Sequence, residues 1–368
     1  MLAVELRDIT KTYGSAPILQ HLNIGIEAGT FTVVFGMPTC GKSVLVRLLT
    51  GLEKPNSGQI FLRETDVTDV EPGERNIGYV PQSFALYPHY SVHDNIAYPL
   101  SLMRVPKDET ETAVRQVANQ IKIDHLLNKR PDQLSGGEKQ RVALARGIIK
   151  QTDIYVLDDP LVGLDFKLRE QLFDDLRNMQ ESLQATFVYT TSDPLETLAL
   201  ADQVSILDGG CIVETGNVEQ MYHDPQHARS MELLGFPASN MLQGELYSKG
   251  GQTWCRSSFF DFPIDLFREG NRADAQNVVD VAIRPQHVML EFEQRNGCLT
   301  AQADITLRDD LGGEIIVYLD VKGTPLTTVI SHDKDYLIAQ DVVTIGIHPP
   351  DVALFSSETG QKIGHGVM

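Results

Sequence analysis

The sequence predicts an α/β fold: a buried parallel sheet wound with helices, interrupted by a helical insertion and followed by a small all-β barrel. Three observations predict it. Short β-rich apolar runs alternate with helix-periodic segments from the start to about Pro237. That rhythm pauses between Gln82 and Ser135, where segments such as Glu109 to Ile123 carry a helical pattern. Beyond Pro237, short β-rich runs are separated by Gly, Pro and Asp.

The elements follow in order. Phe31-Thr32-Val33-Val34-Phe35 is nearly continuous and apolar, as suits a central strand buried on both faces. It ends at Gly36, and Val44, Leu45, Leu48 and Leu49 then repeat at helical spacing. Ile154-Tyr155-Val156-Leu157 and Phe187-Val188-Tyr189 are further buried strands. In the tail, Val278 to Ile283, Glu314 to Leu319 and Val342 to Ile347 are the clearest strands. The expected organisation is a first domain over 1–236, with a helical subdomain at about 83–150, and a second over 237–368.

Composition narrows the function classes. The chain has 368 residues and a formal net charge of -19, from 50 Asp+Glu against 31 Lys+Arg. An acidic surface repels phosphate backbones and anionic lipid heads, so neither nucleic acid nor direct lipid insertion is expected. Any work at a membrane would be done by docking on a protein. Cys40, Cys211, Cys255 and Cys298 contain no C-x-x-C pair and are expected to be reduced thiols. The N-terminus, MLAVELRDIT, has charges where a signal sequence would be apolar, and no apolar run is long enough to span a bilayer.

Three stretches carry chemistry. Gly36-Met37-Pro38-Thr39-Cys40-Gly41-Lys42-Ser43 fits G-x-x-x-x-G-K-[ST] between a strand and a helix. Backbone N–H groups of such a loop, with a positive helix end, cradle a polyphosphate. Lys42 would reach its β- and γ-phosphates and Ser43 would coordinate Mg²⁺. Asp158 and Asp159 follow a buried strand; Asp158 would hold Mg²⁺ and Asp159 stands where a water-polarising base would be. Leu134-Ser135-Gly136-Gly137-Glu138 contains an S-x-x-E capping box, and its glycines leave helix-start N–H groups open to a phosphate.

Taken together, the phosphate loop, Gln82, LSGGE, the Asp158-Asp159 pair and Leu164-Asp165 resemble the ATP-binding cassette family over about residues 1–235. The tail resembles the regulatory extension of its maltose-type, carbohydrate-uptake branch through Ala282-Ile283-Arg284-Pro285-Gln286-His287 and Asp309-Asp310-Leu311-Gly312-Gly313-Glu314. The resemblance implies a P-loop (RecA-like) nucleotide-binding domain followed by an OB-like (TOBE-type) barrel. It implies ATP and Mg²⁺ as cofactors, and a peripheral subunit on the cytoplasmic face of the inner membrane. Its partners would be two transmembrane permease subunits and an extracytoplasmic substrate-binding protein, in an importer of sugars, polyols such as glycerol, or glycerol phosphates. Tyr13 would stack on adenine. Gln82 would sense the γ-phosphate, the metal and the attacking water. Ser83 to His89 would grip the permease. Ser135, Gly136, Gly137 and Glu138 would serve nucleotide held by the opposite subunit, and Asp165 would lie on the loop crossing that interface.

Against the family pattern, Asp159 replaces a glutamate and Ser192 replaces a histidine at the end of the Phe187 strand. Pro38 lacks an N–H, Thr39 replaces a glycine, and Val44 replaces a hydroxyl that meets the α-phosphate. These departures act on nucleotide held by this chain, whereas the LSGGE stretch acts on the partner's. The expectation is therefore an ATPase subunit weak at its own site and paired with an intact second ATPase. A homodimeric active ATPase and a silent nucleotide-binding regulatory subunit are the alternatives.

Overall fold

The computed structural model describes residues 1–163, 166–267, 277–291 and 297–368. The expected interface residue Asp165 lies outside the described residues. The chain forms two compact units, Met1–Val218 and Glu219–Met368.

In the first unit, β1 (Leu2–Tyr13) and β2 (Ala16–Glu27) form a hairpin that leads into β3 (Phe31–Phe35) and helix α1 (Lys42–Thr50). Then come β4 (Ser57–Leu62), β5 (Thr65–Asp66) and β6 (Gly78–Val80). Helices α2 (Val92–Leu102), α3 (Lys107–Gln120) and α4 (Gly136–Ile148) follow as the helical insertion. The α/β rhythm resumes with β7 (Ile154–Asp158), α5 (Phe166–Leu183), β8 (Thr186–Thr191), α6 (Pro194–Leu200), β9 (Gln203–Asp208) and β10 (Cys211–Asn217).

The central sheet has the order β10-β9-β3-β8-β7-β6. Its five strands from β9 to β6 are parallel, with β10 an antiparallel edge. The three runs expected as buried strands are β3, β7 and β8, and every residue of each is buried. A second sheet, β2-β1-β4-β5, is antiparallel. Leu45, Val46, Leu48 and Leu49 of α1 pack with both sheets in one core, so the helix that follows the phosphate loop is fixed from two sides.

The second unit begins with α7 (Val218–His223) and α8 (Ala228–Leu233). The division at 218/219 precedes the expected 236/237 boundary. The reason is local: Ala228 and Met231 of α8 pack with Ala282 and Phe355 of the barrel. The barrel is closed by β11 (Asn240–Lys249), β12 (Gln252–Ser257), β13 (Asp261–Leu266), β20 (Lys362–Gly366), β19 (Val352–Ser356) and β14 (Val278–Ile283). A four-stranded antiparallel sheet, β17 (Thr324–Ser331), β16 (Glu314–Val321), β15 (Leu299–Asp310) and β18 (Val342–Ile347), shares its core. The all-β tail is therefore a barrel with an added sheet.

Candidate functional site

Four parallel strands deliver their carboxyl ends to one edge of the central sheet. β3 delivers Gly36 to Ser43, β8 delivers Thr190 to Ser192, β7 delivers Asp158 and Asp159, and β6 is followed closely by Gln82. Open α/β sheets gather their chemistry at that edge.

The phosphate loop is held by close packing. A Cβ on Gly36 would sit 2.4 Å from the Leu207 carbonyl oxygen, so only glycine fits. Gly41 is the N-cap of α1 at φ 112, and no side chain caps the helix. The first-turn N–H groups of a nine-residue helix are thus left for an external acceptor. Lys42 is buried, and its Nζ donates to the carbonyl oxygens of Gly36 at 2.6 Å and Met37 at 3.0 Å. The ammonium lies folded across its own loop with one of three N–H donors to spare.

Thr39, expected where backbone freedom is needed, has φ 71. A β-branched side chain in the left-handed region is strained by roughly 1–3 kcal/mol. Val44 differs from the expectation that it lines the nucleotide: its side chain is buried in the core between the sheets, so only its backbone faces the helix start.

The carboxylates lie alongside. Asp158 Oδ1 accepts hydrogen bonds from Ser43 Oγ at 3.2 Å and Thr190 Oγ1 at 2.9 Å. Hydroxyl and carboxylate oxygens this close form a hard-ligand pair suited to Mg²⁺, which takes one or two protein oxygens and completes its shell with phosphate and water. Asp159 has φ 45, and its N–H donates to the Thr190 carbonyl oxygen at 3.0 Å and to the Thr190 hydroxyl at 3.1 Å. Gln82 Nε2 reaches Asp159 Oδ2 at 3.5 Å. Burial pushes the Asp159 carboxyl up from its ordinary value; Lys42 opposes this and Asp158 adds to it. Thr190 was missed in the sequence, although its place at the end of a buried strand was a signal.

Ser192 follows directly on β8. Asp193 caps α6 by accepting from Leu195 N–H at 2.8 Å, and pairs with Arg169 at 2.5 Å. Behind them, the buried Glu196 carboxylate accepts from the Tyr189 and Thr191 hydroxyls, both at 2.7 Å. Tyr13 has an exposed ring, while its hydroxyl donates to Glu53 Oε2 at 2.5 Å and accepts from Arg47 at 3.3 Å.

The start of α4 is a capping box. Ser135 Oγ accepts from Glu138 N–H at 3.3 Å, and Glu138 Oε2 accepts from Ser135 N–H at 2.7 Å. The Ser135 N–H holds the Glu138 carboxyl below its ordinary value. The two glycines have different reasons. A Cβ on Gly137 would lie 2.1 Å from Leu168 Cδ2, so a side chain there would force Leu168 of α5 to move. A Cβ on Gly136 would meet nothing within 4 Å. The fold leaves that position open.

The segment after Gln82 is anchored by residues that sequence reasoning passed over. Arg146 on α4 donates to the carbonyl oxygens of Phe84 at 2.9 Å and Ala85 at 2.7 Å, and lies 5.5 Å over the Tyr87 ring. Fully buried Asn95 accepts from Tyr87 N–H at 2.8 Å and donates back to the Tyr87 carbonyl at 3.1 Å. The tyrosines at 87 and 98 pack with ring centroids 4.7 Å apart. The signal was an arginine and an asparagine at otherwise apolar helical positions.

Comparison with known proteins decides the family. Residues 19–162 match the ABC transporter domain and residues 281–355 the TOBE domain. Over 97% of its length the chain is 33% identical to the maltose/maltodextrin import ATP-binding protein MalK of Vibrio cholerae, covering 95% of that protein. The chain belongs to the ABC transporter family. Another member, the sn-glycerol-3-phosphate import ATP-binding protein UgpC 1 of Rhizobium johnstonii, is 32% identical over 100% of this chain and 98% of its own length. A dimeric bacterial ABC transporter cassette of known structure covers 58% of this chain and 98% of its own, with TM-score 0.54 and 26% identity. A subunit of an ABC transporter complex from Clostridium perfringens covers 61% and 91%, with TM-score 0.56 and 25% identity. ABC proteins of this family bind ATP with Mg²⁺, and the donor set at the sheet edge fits that pair. Among the described residues no helix is long and apolar enough to cross a membrane.

Proposed function

We propose that this chain is the ATP-binding subunit of an importer for sugars, polyols such as glycerol, or glycerol phosphates, acting at the cytoplasmic face of the membrane. The observation that supports this best is the meeting of an uncapped helix start, Lys42, Ser43 and Asp158 at one sheet edge. MgATP would supply the phosphoryl group and its counter-ion. Lys42 would turn from the Gly36 and Met37 carbonyls to the terminal phosphates, and the N–H groups after Gly41 would bind them. Ser43 and Asp158 would hold the metal. Asp159 would take a proton from water oriented with Gln82. The Tyr13 ring would stack on the base.

We further propose that this site is slow and that the chain pairs with a second, intact ATPase subunit. Thr39 at φ 71 stiffens the loop where free N–H groups are needed. Asp159 is shorter than the glutamate it replaces by about 1.5 Å, a displacement of an order that costs about 10²-fold in rate. Ser192 brings no positive charge. Ser135, Gly136, Gly137 and Glu138, by contrast, form a complete helix start that would grip the sister's γ-phosphate. The permease would dock on Ser83 to His89, held in shape by Arg146 and Asn95, so that closure around ATP is passed to the membrane. ATP drives this because it binds the closed state better than the open one. Purification of the intact complex followed by mass spectrometry tests the pairing. A second, different ATPase is expected, and two copies of this chain alone would overturn it.

A further inference from the structure

The second unit contains a cavity of about 230 Å³, which the nucleotide reading does not use. Tyr222, Arg284, His287, Asp351, Lys362 and His365 lie on its wall. Its volume is that of roughly eight water molecules at about 30 Å³ each. That is room for a small organic molecule.

Arg284 is 5% exposed, yet no carboxylate lies within ion-pair distance of it among the described residues. Its guanidinium donates to the carbonyl oxygens of Leu234 and Tyr222, both at 2.5 Å, and to the Ser239 hydroxyl at 3.4 Å. It also stacks 4.1 Å over the Tyr222 ring. These contacts satisfy N–H groups and leave a full positive charge without a counter-ion. Burial accordingly pushes the Arg284 pKa down, with only the Tyr222 ring opposing. Buried charges in proteins are ordinarily paired.

A second observation on the same wall is independent. His287 Nδ1 is buried and has no hydrogen-bond partner in the protein. Such atoms ordinarily have one. His223 and His365 also line the cavity, while Lys362 is already engaged in an ion pair with Asp224. Asp351 is the acidic member of the wall.

We propose that this cavity binds a small organic phosphate, with Arg284 as its counter-ion and His287 Nδ1 as a second donor. A dianion matches a guanidinium and an adjacent imidazole, and charge-assisted bonds of this kind are the strong ones. The Tyr222 ring would take the carbon portion.

The test is calorimetric titration of the full chain, saturated with MgADP so that the phosphate loop is filled. The probes are glycerol 3-phosphate, inorganic phosphate and glycerol. Saturable binding of glycerol 3-phosphate is expected, with none for glycerol and weaker binding of inorganic phosphate. His287→Ala should weaken glycerol 3-phosphate about tenfold without shifting the melting temperature. Arg284→Met should abolish binding where the chain still folds; His287→Ala alone decides where it does not. Absence of saturable binding, binding indifferent to His287→Ala, or binding lost in Lys42→Ala would each overturn the proposal. The last outcome would assign the heat to the phosphate loop, leaving the nucleotide reading untouched.

Discussion

Ser43 on α1 and Asp158 at the end of β7 meet through a 3.2 Å hydrogen bond, 115 residues apart in the chain. The pairing exists because β3 and β7 flank β8 in one parallel sheet, so their carboxyl ends present the phosphate loop and the carboxylates side by side. Ser43→Ala removes the proposed metal ligand but leaves Lys42 and the backbone N–H groups. It should lower ATP affinity at least about tenfold in the presence of Mg²⁺ and change it little in a chelator. Nucleotide titrations under both conditions check this.

The strain at Thr39 is separable from chemistry. Thr39→Gly should relieve the left-handed backbone, and after the greater unfolded-state entropy of glycine the net gain should be about 1 kcal/mol. Denaturant unfolding of the two chains measures it. ATP should also bind more tightly, since the loop N–H groups can then adjust.

The signature helix is tied to the rest of the unit by a buried ion pair. Arg141 Nη1 on α4 lies 2.6 Å from Asp175 Oδ2 on α5 and 2.9 Å from the Ile121 carbonyl oxygen. Asp175→Asn leaves the arginine buried and uncompensated, which should cost about 3 kcal/mol. A denaturant midpoint that did not move would show the pair to be dispensable.

Glu196 gives a pH signature. Its carboxyl is raised above its ordinary value of 4.5, chiefly by burial, against the hydrogen bonds from Thr191 and Tyr189. A raised acid binds its proton more tightly when folded. Its contribution is therefore complete below the unfolded pKa, lost as pH rises through the folded pKa, and flat beyond. Glu196→Gln should remove that loss, so wild type minus variant stability should fall across this window and level off above it. Unfolding free energies measured from pH 4 upwards (a range set by the ordinary carboxylate values near 4) report it.

Much of this was legible in the sequence, and the reasons are local. Phe31 to Phe35 is apolar throughout because both faces are covered, and such a run identifies a central parallel strand. The capping box at Ser135 and Glu138 needs only a spacing of three. What escaped notice depends on long-range placement. Nothing near Arg146 announces that its guanidinium will hold the Phe84 and Ala85 carbonyls 62 and 61 residues away. Val44 looked like a nucleotide ligand, but the direction of its side chain was decided by the second sheet, which packs on the same helix. The four-stranded sheet beside the barrel was hidden because its strands, β15 to β18, sit as one run between β14 and β19 of the barrel and carry the same β-rich pattern.

On the proposed pairing, this chain contributes a working helix start to a partner and keeps a slow pocket for itself. Gly136 makes it testable, because a Cβ there meets nothing within 4 Å and an aspartate at a helix start is tolerated. The decisive measurement is ATP turnover of the purified membrane complex carrying either Gly136→Asp or Asp159→Asn in this chain. Turnover should fall at least about 10²-fold for Gly136→Asp, as the sister's γ-phosphate is repelled, and less than about twofold for Asp159→Asn. The reverse ranking, with Asp159→Asn abolishing hydrolysis and Gly136→Asp sparing it, would show that this chain's own pocket is the working one.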